Sequence, residues 1–102
     1  MDKINYSHAL YNRNFATFMS EMKAKVPVDP SNDISIEFYR GIIDGIDQFH
    51  YLPDDYNYDA EYTTYKTYIT SCKGFPREYY WNGFCRGFHH ELTEFKKYKQ
   101  ST

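Results

Sequence analysis

The residues of this sequence most able to do chemistry are its histidines and the carboxylates beside them. His89 and His90 are adjacent, and Glu91 follows them directly. The run from His90 to Glu94 begins as a zinc-protease motif does, but Glu94 stands where the second metal-binding histidine is required. Two ligands on one helical face do not complete a metal site. We therefore expect no bound metal and no cofactor.

The two cysteines are the other candidates for chemistry. Cys72 or Cys85 could lie near His50, His89 or His90, but neither is surrounded by the signature of a cysteine nucleophile. A metal or Cys–His enzyme is therefore the third interpretation. We expect a protein that is not an enzyme and has no catalytic residues.

The start of the chain bears on its compartment. Residues 1–6 show no positively charged region leading into an apolar run, as a secretory signal requires. No apolar stretch approaches the roughly 20 residues of a membrane span. We expect a cytoplasmic chain with free thiols and no membrane partner.

Composition and charge describe the elements that must position these residues. The chain has 102 residues and a net charge of −2, with 12 Tyr, 8 Phe and one Trp. Each ring can bury roughly 150–250 Å², so we expect one helical domain over residues 1–102 with an aromatic core. Acidic residues dominate 44–61, where there is no Lys or Arg, and Lys and Arg outnumber the acids in 62–102.

Apolar residues recur at helical spacing along most of the chain, which predicts a mainly α domain, a small bundle of three or four helices. In residues 60–73 the Thr, Tyr and Ile content also fits a strand, so an α+β domain is the alternative. If the segment is helical, Asp59 is its predicted N-cap. The predicted helices cover residues 7–25, 34–51, 60–73 and 77–99.

An internal echo links the second and last predicted helices. Residues 38–46 align without gaps on residues 80–88, and both segments read ring, ring, any residue, Gly, apolar, any residue, charged, Gly, apolar. A helical glycine costs roughly 1 kcal/mol relative to alanine, which predicts close helix contacts at these positions. The echo fits two αα-hairpins facing each other across a pseudo-two-fold axis. The matching glycines are Gly41, Gly45, Gly83 and Gly87.

Tyrosine is too abundant for so small an interior, so many of the rings must lie at the surface. We predict the acidic segment 51–61 to be a loop. It combines aromatic rings with carboxylates, a composition suited to binding a basic surface on a partner. The predicted partner-binding residues are Asp54, Asp55, Tyr56, Tyr58, Asp59, Glu61 and Tyr62.

The last helix offers an alternative surface of opposite charge, which could bind nucleic acid. The net charge of −2 makes long-range attraction to phosphate weak, so this interpretation comes second. The residues of this alternative basic face are Arg86, His89, His90, Lys96 and Lys97.

These observations favour a non-enzymatic protein-binding module whose partner is a larger protein or nucleoprotein with a basic surface. In size, lack of motifs and acidic aromatic surface, the chain resembles in type the small proteins with which phages and mobile elements block host machinery. Inhibitors of nucleases and of CRISPR complexes belong to that type. A homodimer is compatible with the same surface.

Overall fold

The computed structural model describes residues 12–25, 33–53 and 55–100, and all regular structure within these ranges is helical. The mainly α class is confirmed: in the segment 60–73 residues 60–71 are helical rather than a strand, and Cys72 and Lys73 belong to the turn that follows. Residues 7–11 of the first predicted helix, and residues 26–32 of the first loop, lie outside the described part. The helices are α1 (Asn12–Lys25), α2 (Asp33–Tyr51), α3 (Tyr58–Ser71) and α4 (Pro76–Gln100).

Helices α2 and α4 form the centre of the fold and meet through the four glycines. A methyl group built on Gly41 would lie 1.9 Å from the backbone oxygen of Tyr80. One built on Gly45 would lie 2.1 Å from the backbone oxygen of Phe84. The second contact lies closer to the C-terminus than the first in both helices, so α2 and α4 run in the same direction.

The same contacts recur from the other helix. A methyl group on Gly83 would lie 2.0 Å from the Phe38 oxygen, and one on Gly87 would lie 2.3 Å from the Ile42 oxygen. Each contact maps onto its counterpart when the partners are exchanged across the alignment of residues 38–46 with 80–88. Each glycine points an α-hydrogen at a carbonyl oxygen, a geometry typical of weak C–H···O bonds. The predicted close contacts and pseudo-two-fold relation are confirmed.

Aromatic rings from α2, α3 and α4 fill the larger of two core clusters. Phe49 and Phe88 are fully buried, with ring centroids 5.8 Å apart in an edge-on arrangement. Tyr58 and Phe95 lie against them at similar distances. Ring pairs in these arrangements stabilise the core beyond the area they bury. They hold α3 against the central pair.

A smaller cluster attaches α1 to α2. Phe18 and Met22 from α1 pack with Phe38, Ile42 and Ile46 from α2, and all five side chains are buried. This apolar contact places α1 beside the central pair, where it forms one wall of the larger cleft described below.

Helix α3 begins at Tyr58, and its N-cap is Asn57 rather than Asp59. The Asn57 side-chain oxygen accepts a hydrogen bond from the Ala60 amide at 3.1 Å. Burial of the Tyr58 ring against Phe49 draws the first turn onto the core, so the helix starts earlier than its polar residues suggest. The predicted loop 51–61 is correspondingly too long, because Tyr51 ends α2 and residues 58–61 are helical.

Replacing Asn57 with alanine should lower the free energy of unfolding by about 1 kcal/mol, because the Ala60 amide loses its acceptor. Urea unfolding followed by circular dichroism measures the loss. Asp59→Ala is the comparison, since it removes the side chain of the N-cap predicted from sequence. A larger loss in Asp59→Ala than in Asn57→Ala would contradict Asn57 as the cap.

The turn before α4 follows the sequence signal closely. Gly74 has a φ of +89°, which favours glycine, and its amide donates to a carboxylate oxygen of Glu78 at 2.9 Å. Pro76 is the first residue of α4, the position at which its missing amide hydrogen costs least. Helices α3 and α4 therefore form an αα-hairpin.

Candidate binding surfaces

Two clefts lie on opposite sides of the central helix pair. The first, about 380 Å³ in volume, is named the acidic cleft and lies between α2 and α4. The second, about 570 Å³, is named the basic cleft and lies on α4 between α1 and α3. The acidic cleft is lined by Asp44, Asp47, Gln48, Tyr51, Tyr80 and Phe84. The basic cleft is lined by Phe18, Tyr62, Lys66, Ile69, Asn82, Cys85, Arg86, His89, His90 and Thr93.

The pseudo-two-fold relation connects the two clefts residue by residue. The α2 residues of the acidic cleft align with α4 residues of the basic cleft in the register set by the glycines. Two of the four aligned pairs carry an acid on α2 and a basic side chain on α4, so the charges of the two clefts differ although their backbones are equivalent. The aligned pairs are Asp44 with Arg86, Asp47 with His89, Gln48 with His90, and Tyr51 with Thr93.

In the acidic cleft one carboxylate is fixed and one ring is exposed. The Tyr80 hydroxyl donates to the Asp44 carboxylate at 2.5 Å. Burial, followed by this bond to a carboxylate, raises the pKa of Tyr80 to about 12, so the phenol stays protonated. Tyr51 at the end of α2 is 83% exposed, and Asp47 beside it is also exposed. The cleft offers a carboxylate and an aromatic ring to a partner.

Part of the predicted partner-binding set lies in the exposed loop that follows α2 and at the start of α3. Tyr56 is 42% exposed, and its hydroxyl donates to Glu61 at 2.9 Å. Neither residue is part of the acidic cleft lining. Asp55 is exposed in the same loop.

The rest of that set is placed elsewhere. Tyr58 is a core residue, only 8% exposed, and its hydroxyl donates to the Pro53 carbonyl oxygen. Tyr62 faces the basic cleft, with its ring centroid 4.9 Å from that of His89. Asp59 is exposed but pairs with Lys96 across the helices at 3.3 Å. Asp54 lies outside the described residues.

The alternative basic face is also divided. Arg86 and His89 are exposed at the basic cleft. Lys96 pairs with Asp59, and Lys97 lies 3.4 Å from Glu94 on its own helix. Their charges are therefore partly compensated.

The sequence analysis placed His90 on a solvated basic face of α4. The structure shows that it does not lie there. Its ring stacks on Phe18 with centroids 4.1 Å apart and planes 15° from parallel. Its Nδ1 atom lies 3.4 Å from a carboxylate oxygen of Glu91. Packing of α1 onto α4 accounts for the difference, because Phe18 covers the side of α4 that was assigned to solvent.

The sequence analysis considered Glu91 beside the two histidines, but it did not predict that this carboxylate is buried in the core. It is fully buried, and its Oε2 atom lies 2.9 Å from His50 Nε2. Burial by itself would raise the pKa of Glu91, but hydrogen bonding to His50 and His90 outweighs burial and lowers it. A signal was present: Glu91 stands three residues after Phe88 and four before Phe95, on the buried stripe of α4.

The described residues contain no group of three His, Cys, Asp or Glu side chains that could hold a metal ion. Cys85 shares the basic cleft with His89 and His90, but burial raises its pKa to about 11. That shift favours the thiol, whereas a cysteine nucleophile needs the thiolate. Within the described part of the chain, none of the helices is long and apolar enough to cross a membrane.

Comparison of the chain with protein-family models, curated proteins and solved structures finds no match. The fold and its surfaces define a small helical protein in which oppositely charged clefts flank a pseudo-symmetric helix pair. Its function is therefore argued from the clefts themselves.

Proposed function

We propose that this chain is a non-enzymatic protein-binding module that docks its acidic cleft onto a basic surface of a larger partner. The partner is a nucleic-acid-processing protein or nucleoprotein, of the nuclease or CRISPR type, and the chain acts on it as an inhibitor or modulator. The proposal includes a phage or mobile-element origin and the cytoplasm as the compartment.

One observation carries the proposal, the exposure of Tyr51 among carboxylates. Tyr51 is 83% exposed at the end of α2 and lines the acidic cleft together with Asp44 and Asp47. Tyrosine is enriched at interface hot spots because its rigid ring buries a large area at low entropic cost. Asp55, in the loop that follows, adds an exposed negative charge. A basic partner surface would be attracted by the charge and anchored by the ring.

Binding of nucleic acid by the basic face is less well supported. Lys96 and Lys97 lie within 4 Å of carboxylates, and His90 is stacked under Phe18. A nucleic-acid backbone needs a row of free cations to gain from the release of counterions. Arg86 and Lys66 remain, but they converge on a cleft rather than extending along a surface.

Reversing the charge of the acidic cleft tests the proposal directly. In an Asp47→Lys, Asp55→Lys double variant we expect association with the partner to slow by about tenfold or more at low salt, because steering is lost. Tyr51→Ala should instead raise the dissociation rate. The partner is obtained by affinity capture from the source cell, and both rates are measured on a biosensor over a series of salt concentrations.

A Glu21→Lys, Glu94→Lys variant is the matched control, because its net charge changes equally at residues outside the acidic cleft lining. It should retain most of the association rate. Equal capture of the partner by the acid-reversed variant would overturn the proposal. A nucleic-acid module would give a different result: the acid-reversed variant would bind single-stranded DNA more tightly than the wild type, and no protein partner would be recovered. That result would also overturn the proposal.

A further inference from the structure

The basic cleft gathers positive charge without a counter-charge. Lys66 projects from α3 and Arg86 from α4, and no carboxylate is among the described residues that line the cleft. Within the described part of the chain, neither side chain forms an ion pair. The Lys66 ammonium lies 5.0 Å from the Tyr62 ring centroid, and the Arg86 guanidinium lies 5.9 Å from the Phe38 ring centroid. Neither ring supplies a negative charge, so both cations attract an anion that enters the cleft.

The donors around the cleft match the oxygens of a phosphate group. The Arg86 guanidinium can donate two parallel hydrogen bonds to a phosphate, and the Lys66 ammonium adds a compact charge. His89 and the Thr93 hydroxyl lie in the same lining and can act as further donors. No described side chain of the lining is acidic, so no carboxylate in direct contact with the cleft repels a phosphate there.

The size of the cleft indicates more than an inorganic ion. A volume of about 570 Å³ falls within the range of small-molecule sites. The rings of Phe18 and Tyr62 form the apolar part of the lining, and the Lys66 ammonium lies 5.0 Å from the Tyr62 ring centroid. A ligand with a charged end and a planar organic body would use both parts.

We propose that the basic cleft binds a small phosphate monoester of the size of a nucleoside monophosphate. Its phosphate lies between Lys66 and Arg86, and its organic part packs against Tyr62 and Phe18. The proposal does not depend on protein binding by the acidic cleft, which lies on the other side of the helix pair. The acidic cleft carries Asp44 where the basic cleft carries Arg86, so it would repel the same ligand.

Titration of the ¹⁵N-labelled full chain with adenosine 5′-monophosphate tests the proposal. We expect the largest amide shifts at residues that line the basic cleft, with Tyr62, Lys66 and Arg86 among them, and no shift around Asp44 and Asp47. Adenosine alone and inorganic phosphate alone should each bind about tenfold or more weakly, because each uses only part of the cleft. If no amide shifts at a nucleotide concentration of about 10 mM, the affinity is below that of the weakest specific ligands, and the proposal is overturned.

Variants then assign the phosphate contact. Lys66→Gln and Arg86→Gln should each weaken binding about tenfold or more, while Lys73→Gln, an exposed lysine outside the cleft, should leave it unchanged. All three positions are exposed, so the fold should persist, and far-UV circular dichroism checks this. Equal affinity in all three variants would contradict the proposal. A single-stranded oligonucleotide that binds far more tightly than the nucleotide, through the same residues, would also overturn it in favour of a nucleic-acid surface.

Discussion

Gly41→Ala is expected to lower the free energy of unfolding by about 3 kcal/mol or more, the upper part of the range for overpacked cores. The added methyl would lie 1.9 Å from the Tyr80 carbonyl oxygen, which is backbone and cannot rotate away. The central helices would have to separate, and the aromatic core packed on them would lose contact. Helix propensity alone predicts the opposite sign, a gain of roughly 1 kcal/mol. The direction of the change is therefore diagnostic.

Urea unfolding of the Gly41→Ala protein, followed by circular dichroism, measures this loss. Gly83→Ala should cost a similar amount, because its methyl would lie 2.0 Å from the Phe38 oxygen in the pseudo-symmetric contact. Thr70→Ala on the exposed side of α3 is the control and should change stability by less than about 0.5 kcal/mol. If Gly41→Ala unfolds at the same urea concentration as the wild type, the close contact between α2 and α4 does not exist in solution.

The double variant Gly41→Ala, Gly83→Ala adds a test of the symmetry. Both methyl groups force apart the same two helices, so the second substitution should cost less than it does alone. Fully additive losses would indicate that the two contacts yield independently.

The close packing of α2 and α4 was predictable because the spacing of their glycines can be seen in the sequence and determines how closely the two helices approach. Two helices that carry glycines at the same positions of an apolar face can approach more closely there than anywhere else, and Gly41 and Gly83 mark that place in the sequence. The start of α3 was not predictable in the same way. Asp59 and Asn57 are both good N-caps, and the choice between them was made by burial of Tyr58 in a core assembled from distant residues.

The sequence predicted the charges of the two surfaces but not which residues form each surface. The acidic middle and basic end of the chain correctly indicated surfaces of opposite sign. Consecutive helical residues point about 100° apart. Tyr62 therefore lines the basic cleft while Glu61 accepts a hydrogen bond from Tyr56 outside it, although the sequence analysis placed them in one set. His90 was misplaced for another reason, since the helix that covers it, α1, is far away in sequence.

The acidic and basic clefts have equivalent backbones but opposite charges, so they suit different ligands. Asp44 and Arg86 occupy equivalent positions, yet Asp44 accepts from a tyrosine hydroxyl while Arg86 lies 5.9 Å from the Phe38 ring. The aligned residues Tyr80 and Phe38 differ by just that hydroxyl. The hydroxyl satisfies the carboxylate, whereas the cation in the other cleft is left able to receive an anion.

The second large effect is expected at Glu91, whose carboxylate joins α2 to α4 inside the protein. In Glu91→Ala the His50 and His90 side chains lose the carboxylate and a cavity opens beside Phe88, so we expect a loss of about 3–5 kcal/mol. A small domain has only about 5–15 kcal/mol of stability, so this variant should be largely unfolded at moderate urea concentrations. Glu94→Ala, one turn further along the surface of α4, is the control and should cost less than about 1 kcal/mol.

Glu91 should also make stability depend on pH in a way that its amide variant does not. Because its pKa is lowered in the folded state, the carboxylate contributes stability that is fully present above the unfolded value of about 4.3. That contribution is lost as the pH falls through the folded pKa. Between about pH 5 and pH 3 the wild type should therefore lose more stability than Glu91→Gln, which has no proton to take up at this position. Unfolding curves measured at successive pH values would contradict this account if the two proteins lost stability in parallel, since the carboxylate would then be titrating as it does in the unfolded chain.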